Sequence, residues 1–135
     1  MKGLDVGAQE NAELIQSGYE AFAKGDMETI AKVFAPDIRW HIGGNNQLTG
    51  DYNGQGEVFA FFGRLAEAAQ GTFSIEIHDL LASEDHVVVL AKESASRGGK
   101  LHVLDEVHVW HIDGGKATEF WGIARDQQAT DQLWA

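Results

Sequence analysis

Glu106 and His108 stand two residues apart in the stretch LHVLDEVHVWHI, residues 101–112. The stretch alternates as a β-strand does. Neighbours at this spacing share one strand face with Cβ atoms ~7 Å apart, close enough for their side chains to hydrogen-bond. Desolvation in an apolar pocket raises a carboxyl pKa, and an adjacent imidazolium lowers it. Such a pair can move a proton near neutral pH, so Glu106 and His108 are the candidate catalytic residues, Glu106 as base or acid and His108 as its partner. On the opposite reading both lie on the outer face of a sheet, in solvent or at a subunit interface.

The same two side chains could chelate a metal from one strand face, but a site needs a third ligand. His102 is ~13 Å from Glu106 along the strand, too far to share an ion with it. His41 is the remaining candidate, and no pattern connects it to the pair. Neither a metal nor another cofactor is expected. The chain has no cysteine, which excludes disulfides, thiolate ligands and cysteine nucleophiles. The glycine-rich run GGNNQLTGDYNGQG, residues 43–56, lacks the Gly-Lys-Ser/Thr of a phosphate loop and reads as a chain reversal.

Which face of strand 101–112 points inward is open at this level. Period two places His102, Leu104, Glu106, His108 and Trp110 on one side and Val103, Asp105, Val107, Val109 and His111 on the other. Apolar content alone turns the second set inward.

The elements that must carry this strand follow from periodicity. From Gln9 to Lys24, Leu14, Ile15, Gly18, Tyr19 and Phe22 recur at three- and four-residue steps, which predicts a helix. Gly25-Asp26 ends it and caps a short second helix, which Pro36 stops. Residues 37–42 alternate as a strand, residues 43–56 form a loop, and Gly56–Gln70 forms a third helix. Strands then follow at Thr72–Leu81, His86–Ser96, Leu101–Ile112 and Ala117–Ala124, joined by turns short enough to require antiparallel hairpins. Asp126, just after the last strand, is expected to cap a helix or turn. Helices first and a strand meander second make an α+β domain with its helices on one face of a curved sheet.

At 135 residues the chain is one domain, residues 1–135, of ordinary globular composition, with residues 1–8 expected as a flexible lead-in. A net charge of −11 argues against nucleic acid and anionic membrane surfaces, which select Lys and Arg. The N-terminus MKGLDVGAQENAEL has no signal-like apolar run, and no stretch has the ~18 apolar residues of a membrane span, so a cytoplasmic location is expected. A sheet with helices on one side leaves its other face bare, so the chain is expected to pair with itself as a homodimer.

The segments YEAFAKGDMETIAKVFAPDIRWH, GEVFAFFGRL and VHVWHIDGGKATEFW resemble the nuclear-transport-factor-two-like superfamily, most closely its SnoaL-like polyketide-cyclase branch. The resemblance runs from about Gln9 to Trp134. It implies a cone: three N-terminal helices on a strongly curved, mostly antiparallel sheet that encloses an apolar pocket. Aligning strand 101–112 with the family through Gly115 turns Leu104 and Glu106 inward, against the apolar-content argument. The pocket wall is then Phe22, Trp40, Ile42, Phe62, Leu104 and Phe120, and the occupant is a small hydrophobic, cyclic ligand. Where the ketosteroid-isomerase branch has its base aspartate, this chain has Ile42; that branch's helix-one tyrosine falls at Gly18, one residue before Tyr19. The last-strand aspartate of the limonene-epoxide-hydrolase branch falls at Gly122. The resemblance therefore implies a cofactor-free cyclase, isomerase or hydrolase working by proton transfer or, with those aspartates missing, a non-catalytic binding or dimeric scaffold protein.

Overall fold

Helices cover one face of a single six-stranded sheet in a computed structural model that describes residues 3–135. The elements run α1 (Gly3–Lys24), α2 (Met27–Val33), β1 (Phe34–Ile42), β2 (Gly50–Asn53), α3 (Gly54–Ala68), β3 (Ser74–Ala82), β4 (His86–Arg97), β5 (Lys100–Asp113), β6 (Lys116–Ala124) and α4 (Gln127–Leu133). The sheet order is β2-β1-β6-β5-β4-β3, antiparallel throughout except where β1 lies parallel to β6. This is the α+β cone that the resemblance implies.

The expected boundaries shift in several places. Of the lead-in expected over residues 1–8, Met1 and Lys2 lie outside the described residues, and the chain is helical from Gly3. Pro36 stands two residues beyond Phe34, the C-cap of α2, as expected of a residue that stops that helix, and it lies inside β1, in the irregular stretch between Phe34 and Arg39 where the ladder to β6 shifts register. A proline fits there because the interrupted ladder does not call on its missing N–H. The loop expected over residues 43–56 holds a short strand, β2, that pairs with the end of β1. A fourth helix closes the chain, and Asp126 caps it by accepting from Ala129 N at 3.0 Å.

The hairpin turns have a direct cause in the chain. Gly98-Gly99 and Gly114-Gly115 all have φ between +59° and +79°, the left-handed pairs that a two-residue hairpin turn needs. They lock the β4–β5 and β5–β6 registers. Bulges at His78 in β3 and at Thr118 in β6, the latter opposite the His111–Ile112 step of β5, bend the sheet. It curls so that α1 packs on β3 and β4, α2 on β1 and β6, and α3 on β1 and β2. Asn11 pins α1 to the β3–β4 turn by donating to the carbonyls of Ser83 and Glu84 at 3.0 and 2.9 Å.

The core lies between the helices and the concave face. There the even-numbered residues of β5 point inward, with His108, Trp110 and Ile112 buried. The odd-numbered set lies on the convex face, where Val103 is 51% exposed and Leu81 and Ile123 are exposed with it. The apolar-content phase is overturned, because the helices cover the other face. Among the described residues no helix is long and apolar enough to cross a membrane.

Candidate functional site

A cavity opens between the concave face and α1, α2 and α3, with about 850 Å³ of space between its lining atoms, mouth included. Phe22 on α1, Trp40 and Ile42 on β1, Phe62 on α3 and Phe120 on β6 all line it. Leu104 does not. It packs on the inner face against the core, but in its row the wall is made by Ile75 and Glu93 on the two strands beyond it.

Polar groups interrupt this wall chiefly in one place. His108 is 3% exposed, and each of its ring nitrogens has a partner. Nδ1 lies 2.6 Å from the Tyr19 hydroxyl, contributed by α1. Nε2 lies 3.1 Å from Glu106 Oε1 on the same strand and 3.1 Å from Glu93 Oε2 on β4. Trp110 Nε1 donates to the Tyr19 oxygen at 3.1 Å. The Tyr19 and His108 rings are parallel within 2°, and Phe120 packs on the imidazole at 5.1 Å with the ring planes 62° apart. Tyr19, Glu93, Glu106 and His108 all border the cavity.

Burial sets the electrostatics of this cluster. It pushes the Glu93 carboxyl up, the neighbouring Glu106 charge adds to the effect, and the pKa reaches about 7 despite His108. Burial alone would lower His108. It is outweighed by the Tyr19 oxygen and by hydrogen bonds to Glu106 and Glu93, which hold the imidazole well above its ordinary value. Burial also raises Tyr19 and keeps it a neutral phenol. With His108 protonated, Nδ1–H donates to the Tyr19 oxygen and Nε2–H to the carboxylates. The Tyr19 oxygen then accepts twice, from His108 and Trp110, and its own proton is left for an acceptor in the cavity.

Sequence reasoning missed Glu93 and Tyr19. Glu93 had a signal: along β4 the inward set reads Val87, Val89, Ala91, Glu93, Ala95, and Glu93 is its one charged member before Arg97 at the strand's end. Tyr19 lay in the predicted helical stripe, but the alignment with the ketosteroid-isomerase tyrosine stopped one residue short, at Gly18. His41, Asp105 and Asp126, which could also serve as a base, stand away from this cluster. His41 is on the convex face, bonded to Asp51 at 2.7 Å and Glu119 at 2.6 Å. Asp105, also outward, pairs with Lys92 and Arg125, and Asp126 serves as the α4 cap. Gly122 does lie on the inner face, paired with Ile42 and His108. A Cβ there would meet Ile42 and Phe120 at 3.3 Å, so the place of an aspartate is filled by apolar packing.

Glu93, Glu106 and His108 also offer three ligand atoms within 4.8 Å of one another, so this is where a divalent cation could be held. The third donor missing from the sequence reading is thus Glu93, not His41.

Residues 15–120 match the SnoaL-like domain family. The uncharacterized protein Rv0034 of Mycobacterium tuberculosis H37Rv is 32% identical over 124 residues, which are 91% of this chain and 95% of that protein. Among solved structures, Bal32a from a soil-derived mobile gene cassette superposes with a TM-score of 0.91 at 32% identity, covering 96% of this chain and 99% of that one. TerC, co-crystallized with polyporic acid, superposes with a TM-score of 0.83 at 27% identity, over 92% of this chain and 97% of its own.

Proposed function

The chain belongs to the SnoaL-like domain family, in the nuclear-transport-factor-two-like superfamily, and from its site we propose that it is an acid–base catalyst for a small, largely apolar, cyclic substrate. One observation carries this reading: His108 is buried between a phenol and two carboxylates in the wall of an otherwise apolar cavity. Such a cluster is expensive to bury and contributes little to folding that packed hydrocarbon would not. Its place in the wall is explained by chemistry done in the cavity.

The reaction class follows from the donors and acceptors. A substrate carbonyl oxygen accepts the Tyr19 hydroxyl proton as a hydrogen bond. Glu106, at the edge of the cluster, removes a proton from the adjacent carbon, and the electron pair of the broken C–H bond moves to the carbonyl oxygen as an enolate. Tyr19 stabilises that oxygen, backed by the charge on His108. The enolate then takes a proton at another carbon, which is isomerisation, or attacks an electrophilic carbon of the same molecule, which is aldol-type cyclisation. Glu93 and His108 hold the second proton of the exchange. The co-crystal of TerC with polyporic acid supports a small organic occupant.

The rival is a binding protein with the same cavity and no turnover, favoured by Ile42 and Gly122 where related enzymes carry aspartates. Solvent-deuterium exchange separates the two. With 2-tetralone as probe, the protein should accelerate exchange of the protons next to the carbonyl, and Glu106→Gln should remove that acceleration. Binding of the ketone without any exchange favours the rival.

A further inference from the structure

Beside the cavity lies a second hollow, an open groove between the end of α1 with the start of α2 and the end of α3 with the approach to β3. Phe22, Phe62, Leu65 and Phe73 border both spaces, so groove and cavity meet at these side chains. Met27 on α2, Ala66 on α3 and Gly71 in the loop after it complete the groove. No charged or hydrogen-bonding side chain borders it, although Ala66 and Gly71 are exposed and Phe22, Met27, Phe62 and Phe73 are only half-buried.

Polar ties close the neighbouring side of this end of the cone. There α4 and the residue after it bury Thr130 and Trp134 in the cavity wall, with Trp134 6.4 Å from Phe73 between ring centroids. Asp131 accepts from Asn45 N at 2.9 Å and Asn46 Nδ2 at 2.7 Å, Gln47 N donates to the Trp134 carbonyl at 3.3 Å, and Arg97 donates to the Leu133 carbonyl. Among the described residues no hydrogen bond or ion pair crosses the groove. Its two sides meet through rings, Phe22 standing edge to face with Phe62 at 5.2 Å and with Phe73 at 6.2 Å.

A groove floored by aromatic rings and open to water is unfavourable by itself, and apolar surface of this kind marks a binding place. We propose that the groove is an outer subsite of the cavity and takes a hydrocarbon chain carried by the cavity's own ligand. Continuity selects this occupant. A molecule seated in the cavity and longer than it emerges between the four shared side chains, into a space that is apolar throughout. A polar arm would lose its hydration against walls that offer no donor or acceptor. A flat second ring finds no parallel pair of faces, because Phe22 stands at 73° and 90° to its two neighbours. A flexible chain follows such walls, and Met27 is itself unbranched and adapts to it.

The direction of the chain follows from α1. Tyr19 borders only the cavity, and Phe22, which borders both spaces, lies ~4.5 Å of helical rise further on. The chain therefore leaves the ligand on the side away from the group that meets the Tyr19 hydroxyl. This inference rests on the cavity being a ligand site, as proposed above, and adds an exposed contact that selects ligands by length.

The test uses 2-tetralone and its 6-methyl, 6-ethyl, 6-propyl and 6-butyl derivatives, which lengthen the molecule across the rings from the carbonyl. Calorimetry should give a Kd that falls roughly three- to fourfold with each added carbon. The chain has 2 methionines, Met1 and Met27, so methyl-¹³C-methionine labelling gives a simple spectrum in which Met27→Leu identifies the Met27 signal. The Met27 methyl should show cross-relaxation with the butyl protons of the bound derivative. Ala66→Glu exchanges one good helix former for another at an exposed position and sets a carboxylate on the groove wall. It should cut the gain from 2-tetralone to the butyl derivative at least tenfold. Equal affinity along the series overturns the inference and leaves the cavity reading standing. A bound butyl derivative without contact to the Met27 methyl overturns it too, because the chain then lies inside the cavity, and so does a full gain in Ala66→Glu. If no member of the series binds up to its solubility limit, this inference and the ligand-site reading fall together. Should Ala66→Glu not fold, the Met27 signal decides by itself.

Discussion

His108 Nε2 and Glu93 Oε2 meet at 3.1 Å although the ladder between their strands sets Glu93 opposite Leu104, four residues from His108. On a flat sheet that offset is ~13 Å along the strand. The two side chains reach each other because they stand on the concave face of a bent sheet, where neighbouring rows lean together. The cluster is thus a product of curvature as much as of residue type, and that makes its energetics testable.

Stability should fall as pH rises through the range of Glu93. Its carboxyl titrates at about 7 in the folded chain against 4.5 for an ordinary glutamate, so between those values the folded chain holds a proton that the unfolded chain has lost. Its contribution is full below about 4.5 and lost as pH rises through about 7. The raised His108 works in the same direction, its contribution present below 6.5 and lost as pH passes its folded value. Thermal melts from about pH 5 to about pH 8 should show Tm falling, and Glu93→Gln should flatten the fall. Parallel curves for the two proteins would assign the trend to other groups.

Glu106→Gln should lower the proton-exchange rate by roughly 10²–10⁴, the usual share of a general base, and leave ligand affinity nearly unchanged. His108→Asn should displace the pH limb of that rate rather than abolish it, since the imidazole holds Glu93 below where burial alone would put it. Exchange kinetics on 2-tetralone across pH measure both. Full activity in Glu106→Gln would move the base to Glu93.

Tyr19→Phe keeps the ring and removes the oxygen, leaving Trp110 Nε1 and His108 Nδ1 without their partner. The loss should be about 1–3 kcal/mol, seen as a lower denaturation midpoint at unchanged slope, together with slower exchange. A stable, fully active Tyr19→Phe would remove the phenol from the mechanism.

Chelators should leave exchange activity unchanged if protons, not a cation, occupy the cluster of Glu93, Glu106 and His108. Calorimetry with zinc or manganese ions is the complementary measurement. Tight binding that Glu93→Gln abolishes would reassign the cluster to a metal.

The convex face should meet a second copy of the chain. Leu81, Val103 and Ile123 are each more than half exposed there, on a face that no described helix covers. Light scattering at micromolar concentration should give twice 14.7 kDa, and Ile123→Glu should halve it without touching the cavity. A wild-type particle of monomer mass removes the expectation.

Much of this architecture is local in origin and was legible in the chain. The Gly-Gly turns at 98–99 and 114–115 dictate hairpins because left-handed pairs cost glycine little, and the apolar stripe from Leu14 to Phe22 dictates α1. The cap at Asp126 and the pairing of Glu106 with His108 on one strand face are likewise properties of short segments.

Other features needed the assembled sheet. Period two tells which residues of β5 share a face but not which face is covered, and Val103, Val107 and Val109 made the wrong face the more apolar one. Only the docking of α1 and α3 on the concave side decided it. Leu104 shares that side yet misses the cavity, because its row reaches the wall through Ile75 and Glu93. Tyr19 and His108 are 89 positions apart, and no periodicity relates them. Their contact, like that of Glu93 with His108, exists because the bulged sheet bends around α1 and converges its inward side chains on one point. Local pattern determined the parts and their facing sets. The closing of the sheet determined which set became the site.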